Sequence, residues 1–111
     1  MAALLANPDL VEAASRRAFR DIAAEAVRRA GGAEKLAAAL AEMGFAGRKG
    51  DAYVPESIAH WIAGRSDPGG VVMAALAYRW GISVDRAMAM ALEAIEAGAA
   101  LRANDEEAES A

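Results

Sequence analysis

The chain has 111 residues, a formal net charge of −4 and no cysteine. This length suits one domain with one modest core, and the lack of cysteine excludes a disulfide framework, a thiolate metal site and a cysteine nucleophile. Abundant alanine and the absence of threonine favour helix over sheet. No apolar run is long enough to cross a bilayer, and the N-terminal MAALL lacks the positive start of a signal peptide, so we expect a cytoplasmic protein without membrane association.

Charge is distributed unevenly along the chain. From Arg16 to Arg79 there are ten basic and seven acidic residues, a net charge of +3, whereas no basic residue follows Arg102. Four carboxylates lie in 103–111: Asp105, Glu106, Glu107 and Glu109. A mildly basic middle with an acidic end is a weak electrostatic footprint for a nucleic-acid partner. We expect 103–111 to be an acidic disordered tail.

The first two predicted helices are bounded by capping residues and glycines. Asn7-Pro8-Asp9 combines an N-cap, a proline at the first helical position and an acid near the positive end of the helix dipole. This helix is expected to run to Ala30, where Gly31-Gly32 ends it. A second helix is predicted from Ala33 to Met43, with Gly44 as its terminator.

A glycine-rich loop separates the second helix from the third. Gly44 to Val54 contains three glycines and the adjacent basic residues Arg48 and Lys49, a composition typical of a loop. Pro55 opens the third helix, because proline fits the first turn and pushes its predecessor out of helical geometry. Gly64 is expected to end this helix. Its predicted core face consists of Ile58, Trp61 and Ile62.

Two further helices follow. Asp67-Pro68 repeats the pattern of an N-cap before proline, which predicts a fourth helix from about Pro68 to Trp80. Ser83 is expected to cap a fifth helix over 83–102. Its apolar stripe needs burial against the first helix or against a second copy of the chain, and we expect a homodimer. The stripe consists of Val84, Met88, Leu92, Ile95 and Ala99. Five helices without strand signals predict one all-α domain over 7–102.

Three consecutive segments resemble one family of DNA-binding proteins. GGAEKLAAALAEMG at 31–44, SIAHWIAGRSDP at 57–68 and LAYRWGISVDRAM at 76–88 are similar to the helix-turn-helix and following helix of phage Cro and lambda-type repressors, the XRE-like family. The resemblance covers about 28–88. It implies a compact helical domain that binds double-stranded DNA, often as a dimer, and acts as a transcriptional regulator. The helix at 83–102 would then be a dimerisation element.

The resemblance also assigns roles to residues. In that family the second motif helix lies in the major groove, and its exposed side chains reach base edges. By position, Ile58 and Trp61 would pack inward. Lys35, near the start of the first motif helix, and Arg65, after the second, would contact phosphates. The candidate DNA-binding residues are Lys35, Arg48, Lys49, Glu56, Ser57, His60 and Arg65.

The connection between the two motif helices departs from the family pattern. A helix-turn-helix has a turn of about 3–4 residues, and the segment between Gly44 and Ile58 is about eight residues longer than the motif expects. The insertion puts the standard angle between the helices in doubt. It also makes Arg48 and Lys49 candidates for phosphate contacts, because basic side chains on a glycine-rich loop can follow a phosphate backbone.

Several residues have simpler interpretations. His60 is equally compatible with an ordinary surface histidine, and Glu56 with a favourable acid in the first turn of any helix. These two lie one turn apart, but two ligands are too few for a zinc site, so we expect no metal. Gly47 to Gly50, GRKG, has the form of the KH-domain loop, yet a KH domain needs a sheet. A P-loop is excluded because glycine follows Lys49.

An enzyme is the weakest class of function for this sequence. The sequence has one histidine, no cysteine, few serines and no spaced carboxylate pair in an evident cleft, so no catalytic set can be assembled. No cofactor is implied. The serious alternative to a DNA-binding regulator is a protein-interaction module of the same helical fold, such as an antitoxin or an accessory regulator. The net negative charge and the alanine-rich outer helices favour this alternative.

Overall fold

The computed structural model describes residues 7–47 and 49–110, with side chains as far as Gly98. Over these ranges it contains helices and no strand, so the prediction of an all-α fold is confirmed. The helices are α1 Pro8–Ala30, α2 Ala33–Glu42, α3 Pro55–Ile62, α4 Gly70–Arg79 and α5 Val84–Ser110. Within the described ranges, none of these helices has the length and apolar character needed to cross a membrane.

α1 begins and ends where its capping residues predict. The Asn7 side-chain oxygen accepts a hydrogen bond from the backbone N–H of Asp9 at 3.1 Å, and Pro8 lies in the first turn. At the other end, the N–H of Gly31 donates to the carbonyl of Val27 at 3.1 Å. These local hydrogen bonds satisfy backbone groups that the helix itself leaves without partners.

The predicted start of α4 at Pro68 is wrong, because the helix begins at Gly70. The Asp67 carboxylate accepts a hydrogen bond from the N–H of Gly69 at 2.8 Å. A side chain that bonds to the backbone two residues later forms a turn of its own and competes with helix capping. Asp67 therefore closes a turn ahead of the helix.

The prediction of a disordered acidic tail is also corrected. α5 starts after Ser83, whose hydroxyl accepts from the N–H of Arg86 at 3.1 Å as expected of a cap, and the helix continues to Ser110. Neither glycine nor proline follows Gly98, and alanine, glutamate, leucine and arginine are good helix formers. Local propensity therefore outweighs the acidic composition.

α1 is the scaffold of the fold, because it packs against each of the other four helices. The main core lies where α2, α3 and α4 meet α1. Its largest completely buried side chains come from all four helices: Ile22, Leu36, Leu40, Ile58 and Leu76. Burial of a side chain of this size contributes about 1.5–3 kcal/mol relative to exposure. α2 also packs against α3, so this core fixes the position of α3 from two sides.

A second, smaller cluster joins α1 to α5. Its buried members are Ala14, Ala18, Ala91 and Leu92. Met88 and Ile95 pack against this cluster, so three residues of the stripe predicted for a dimer contribute to packing within the chain. Burial of the stripe against the first helix of the same chain was the alternative to its burial against a second copy. Val84 is exposed, and Ala99 lies outside the residues whose side chains are described.

Arg29 ties α1 to the end of α4. Its Nη1 donates to the backbone carbonyls of Trp80 at 2.6 Å and Gly81 at 3.2 Å. Its Nε donates to Glu25 at 2.8 Å, and Arg28 donates to the same carboxylate. The hydrogen bond from Arg28, followed by that from Arg29, lowers the pKa of Glu25 from its usual value. Arg29 therefore has a structural role that occupies its guanidinium.

Candidate nucleic-acid interface

α3 is anchored by its inward face. Ile58 and Trp61 are 0% and 3% exposed, which confirms the prediction that they pack inward. The ring of Tyr53, at the end of the preceding loop, meets Trp61 edge to face with 5.0 Å between centroids and 79° between planes. Ile62, predicted on the same face, is 38% exposed. It lies about 100° around the helix from Trp61, which puts it at the margin of the buried face.

The exposed and the half-buried residues of α3 lie on different parts of its surface. Glu56 and Ala59 are exposed, whereas Ser57 and His60 are half-buried. Ser57 and His60 line one groove together with residues of the inserted loop and of the turn after α3; we call this the histidine groove. Ser57 also accepts a long hydrogen bond from the N–H of Val54 at 3.5 Å, at the start of the helix.

Backbone hydrogen bonds and contacts with the core hold the described residues of the inserted loop. Phe45 and Tyr53, near its two ends, pack against the main core. At its tip the N–H of Gly47 donates to the carbonyl of Asp51, and the N–H of Gly50 donates to that of Gly47, both at 2.9 Å. Lys49 is exposed on this closed turn. Arg48 lies outside the described residues.

The remaining basic candidates occupy separate places. Lys35 is exposed on α2, and its side chain lies close to Gly31. Arg65 is exposed just after α3, where its N–H donates to the carbonyl of His60 at 3.0 Å. Ser57 and His60 therefore share a groove, Arg65 lines a second one, and Lys35 and Lys49 border neither of these two.

The second groove contains two residues that sequence reasoning missed. Arg16 and Arg20, one turn apart on α1, line it together with Arg65; we call it the arginine groove. The spacing of Arg16 and Arg20 places them on one face of a helix. The contact between this face and the end of α3 depends on how α1 packs in the fold, so it could not be predicted from the sequence.

Comparison with protein-family models, with curated proteins and with solved structures found no significant match. The resemblance to Cro and lambda-type repressors therefore rests on the three sequence segments described above. The structure adds that α2 and α3 pack against each other while residues 43–54 connect them. This arrangement is compatible with a helix-turn-helix that has an enlarged turn.

Proposed function

We propose that the protein is a sequence-specific DNA-binding transcriptional regulator in which α2 and α3 act as a helix-turn-helix with a basic inserted loop. The observation that supports this proposal is that one face of α3 is buried in the core and the other is exposed. Ile58 and Trp61 fix it to the core, and Glu56 and Ala59 stay exposed on its other side. A short, rigidly held helix of this kind fits the major groove of DNA. Such a regulator acts in the cytoplasm.

The chemistry of α3 limits what it can read. Ala59 and Ala63 are exposed but offer no hydrogen bonds; a small apolar side chain reads only the thymine methyl group. His60 and Ser57 are the polar side chains that can reach a base edge or phosphate from the histidine groove. The charge of Glu56 repels phosphate, although it can accept from cytosine N4. Specificity would therefore rest on few base contacts together with DNA shape.

We further propose that the regulator acts as a homodimer. A dimer presents two copies of α3 to half-sites about 34–36 Å apart, which doubles the few contacts that one copy makes. Met88, Leu92 and Ile95 already pack within the chain, so a partner would contact what α1 leaves uncovered. Light scattering of the full chain at micromolar concentration should give twice the mass of 11.5 kDa. A monomer under these conditions contradicts this part of the proposal.

Binding to genomic DNA fragments tests the function as a whole. The purified full chain should retain fragments that share a sequence motif, and its affinity should fall with salt by a slope of about 0.9 per phosphate contact on logarithmic axes. Replacing Arg48 and Lys49 together by alanine should flatten that slope and weaken binding to all sequences alike. Retention without any shared motif, or without salt dependence, contradicts the proposal.

One observation favours the protein-interaction alternative. On α4, Val71 is 76% exposed and Tyr78 92% exposed, and Arg79 is the one charged residue of that helix. Large apolar side chains exposed together are typical of a protein-binding surface. In this alternative, Tyr78→Ser abolishes the interaction and His60→Ala leaves it unchanged, which is the reverse of the result expected for DNA.

A further inference from the structure

The arginine groove lies between α1 and the turn that follows α3. It has a volume of about 490 Å³. Arg16 and Arg20 line it from α1, and Arg65 lines it from the turn. Phe19 and Trp61 contribute apolar wall. Three arginines and one aspartate line this groove, a formal charge of +2 in a chain whose net charge is −4.

Two of these guanidinium groups have no partner among the residues whose side chains the structure describes. Arg16 donates to Glu12 at 2.8 Å, in an exposed pair that contributes little to stability. Arg20 and Arg65 make no side-chain hydrogen bond or ion pair with any residue in the described part of the chain. Arginine carries five N–H donors in a fixed planar arrangement that matches phosphate oxygens. These donors are available to a ligand.

Arg20 is positioned against the end of α3. Gly64 has a φ of +76°, and a Cβ there would lie 2.8 Å from the Arg20 Cδ atom. The absence of a side chain at Gly64 therefore lets the stem of Arg20 cross the backbone at this point. Its Nη1 would lie 3.3 Å from the same Cβ, so the guanidinium group is next to the C-terminal end of α3.

The arginine groove adjoins the histidine groove. Both are lined by Trp61, Ser66 and Asp67, so they meet at the turn after α3. A ligand that contacts His60 can continue over this turn to Arg65. Asp67 is the acid at the junction, and its carboxylate accepts the hydrogen bond from Gly69. Its charge opposes a phosphate group, so its removal offers a test of opposite sign.

We propose that Arg16, Arg20 and Arg65 bind phosphate groups of the DNA strand that flanks the bases contacted by α3. This inference rests on the proposed function, because it takes DNA as the ligand of α3. It extends the interface to α1, which carries no residue of the predicted set. Contacts of this kind set the register of a protein on the duplex and carry no sequence information.

The test measures the salt dependence of DNA binding. Arg20→Gln and Arg65→Gln should each flatten the logarithmic slope by about 0.9, and the double variant should flatten it by about twice that amount. Each of these variants should weaken binding to cognate DNA and to random DNA by the same factor. Arg20→Lys keeps the charge and should keep most of the slope. Thermal unfolding should be unchanged, since neither guanidinium group donates to a described residue.

Two further variants make the result specific to the groove. Arg86→Gln removes the same charge from an exposed position on α5 that lines neither groove, and it should leave the slope unchanged. Asp67→Asn removes the opposing charge, while its amide oxygen can still accept from Gly69. This variant should bind DNA more tightly at every salt concentration.

The outcomes separate the two proposals. If Arg20→Gln and Arg65→Gln both keep the wild-type salt slope, the proposal that the arginine groove binds phosphates is overturned. The proposed function is then unaffected. An equal flattening by Arg86→Gln also overturns it, because the effect is then one of net charge. A wild-type protein that binds no DNA overturns both.

Discussion

α3 and α4 are built alike and end differently. Both are short helices that pack against α1, and each is followed by a left-handed glycine, Gly64 after α3 and Gly81 after α4. α1 brings an arginine close to each end. At the end of α4, Arg29 donates to two backbone carbonyls. At the end of α3, Arg20 crosses Gly64 and makes no hydrogen bond to a described residue.

The outward faces of the two helices also differ. α3 exposes Glu56 and Ala59, with His60 at its side, whereas α4 exposes Val71 and Tyr78. The first surface is small and adjoins two arginines that have no side-chain partner among the described residues. These arginines suit a phosphate backbone, although Glu56 opposes it. The second is apolar, which suits another protein. The surfaces proposed for DNA binding and for protein binding therefore lie on different helices, and substitutions can test them separately.

The largest effect is expected where α3 is anchored. Trp61→Ala should lower the free energy of unfolding by about 3–5 kcal/mol, because it removes a buried aromatic side chain and leaves a cavity. Tyr78→Ala, on the exposed face of α4, should change it by about 0.5 kcal/mol or less. Urea denaturation of both variants measures the difference. Similar losses would show that the two helices do not have the faces described here.

The next effect concerns DNA discrimination. His60→Ala should cost about 1–3 kcal/mol of preference for a cognate site over random DNA, since a good base contact contributes that much. Its stability should stay within about 0.5 kcal/mol of the wild type. Tyr78→Ala is the matched control and should keep the full preference. Fluorescence anisotropy with both DNAs decides, and an undiminished preference in His60→Ala removes this residue from the interface.

The two helix-ending glycines allow a sharper comparison. Gly64→Ala and Gly81→Ala should each lower stability by about 1–2 kcal/mol, because a Cβ is unfavourable in the left-handed region. Only Gly64→Ala also displaces Arg20, since the Cβ added at Gly81 lies 3.8 Å from Arg29 Nη1, an ordinary contact. Gly64→Ala should therefore weaken DNA binding as well. If both glycine variants bind DNA equally well, Arg20 does not contact DNA.

The smallest effect compares the two arginines in the absence of DNA. Arg29→Gln should lower stability by about 0.5–1 kcal/mol, because it loses charge-assisted hydrogen bonds at a partly exposed position, and Arg20→Gln should not lower it. The pKa of Glu25 is lowered by Arg28 and Arg29, so the contribution of that carboxylate is present near neutral pH and is lost as the pH falls through the lowered pKa. Thermal melts at neutral and acidic pH measure both effects.

Features set by neighbouring residues were predictable from the sequence. The N-cap of α1 at Asn7 and that of α5 at Ser83 form hydrogen bonds within two or three residues, so their signals lie in the local sequence. The inward face of Ile58 and Trp61 follows from helical spacing in the same way. The start of α4 was mispredicted because Asp67 offers both a cap and a turn, and the sequence does not rank them.

Features set by packing between distant segments were not predictable. The stripe at Met88, Leu92 and Ile95 has an apolar pattern that fits a second copy as well as α1, and only the fold shows that α1 packs there. Arg16 and Arg20 are ordinary exposed arginines in the sequence. Their relation to Arg65 exists because α1 passes beneath the end of α3. Spacing along one helix contains no information about this.

The alanine-rich contact between α1 and α5 has a consequence for how the molecule opens. Its buried members are three alanines and one leucine, with Met88 and Ile95 packed against them. The main core around Ile22 and Leu36 has twelve buried residues, so separating α5 exposes fewer buried side chains than opening that core. Local unfolding costs least where the least apolar surface is exposed. Amide hydrogens of α5 should therefore exchange with solvent through a partial opening, while α3 remains mounted and those around Ile22 stay protected until the whole domain unfolds.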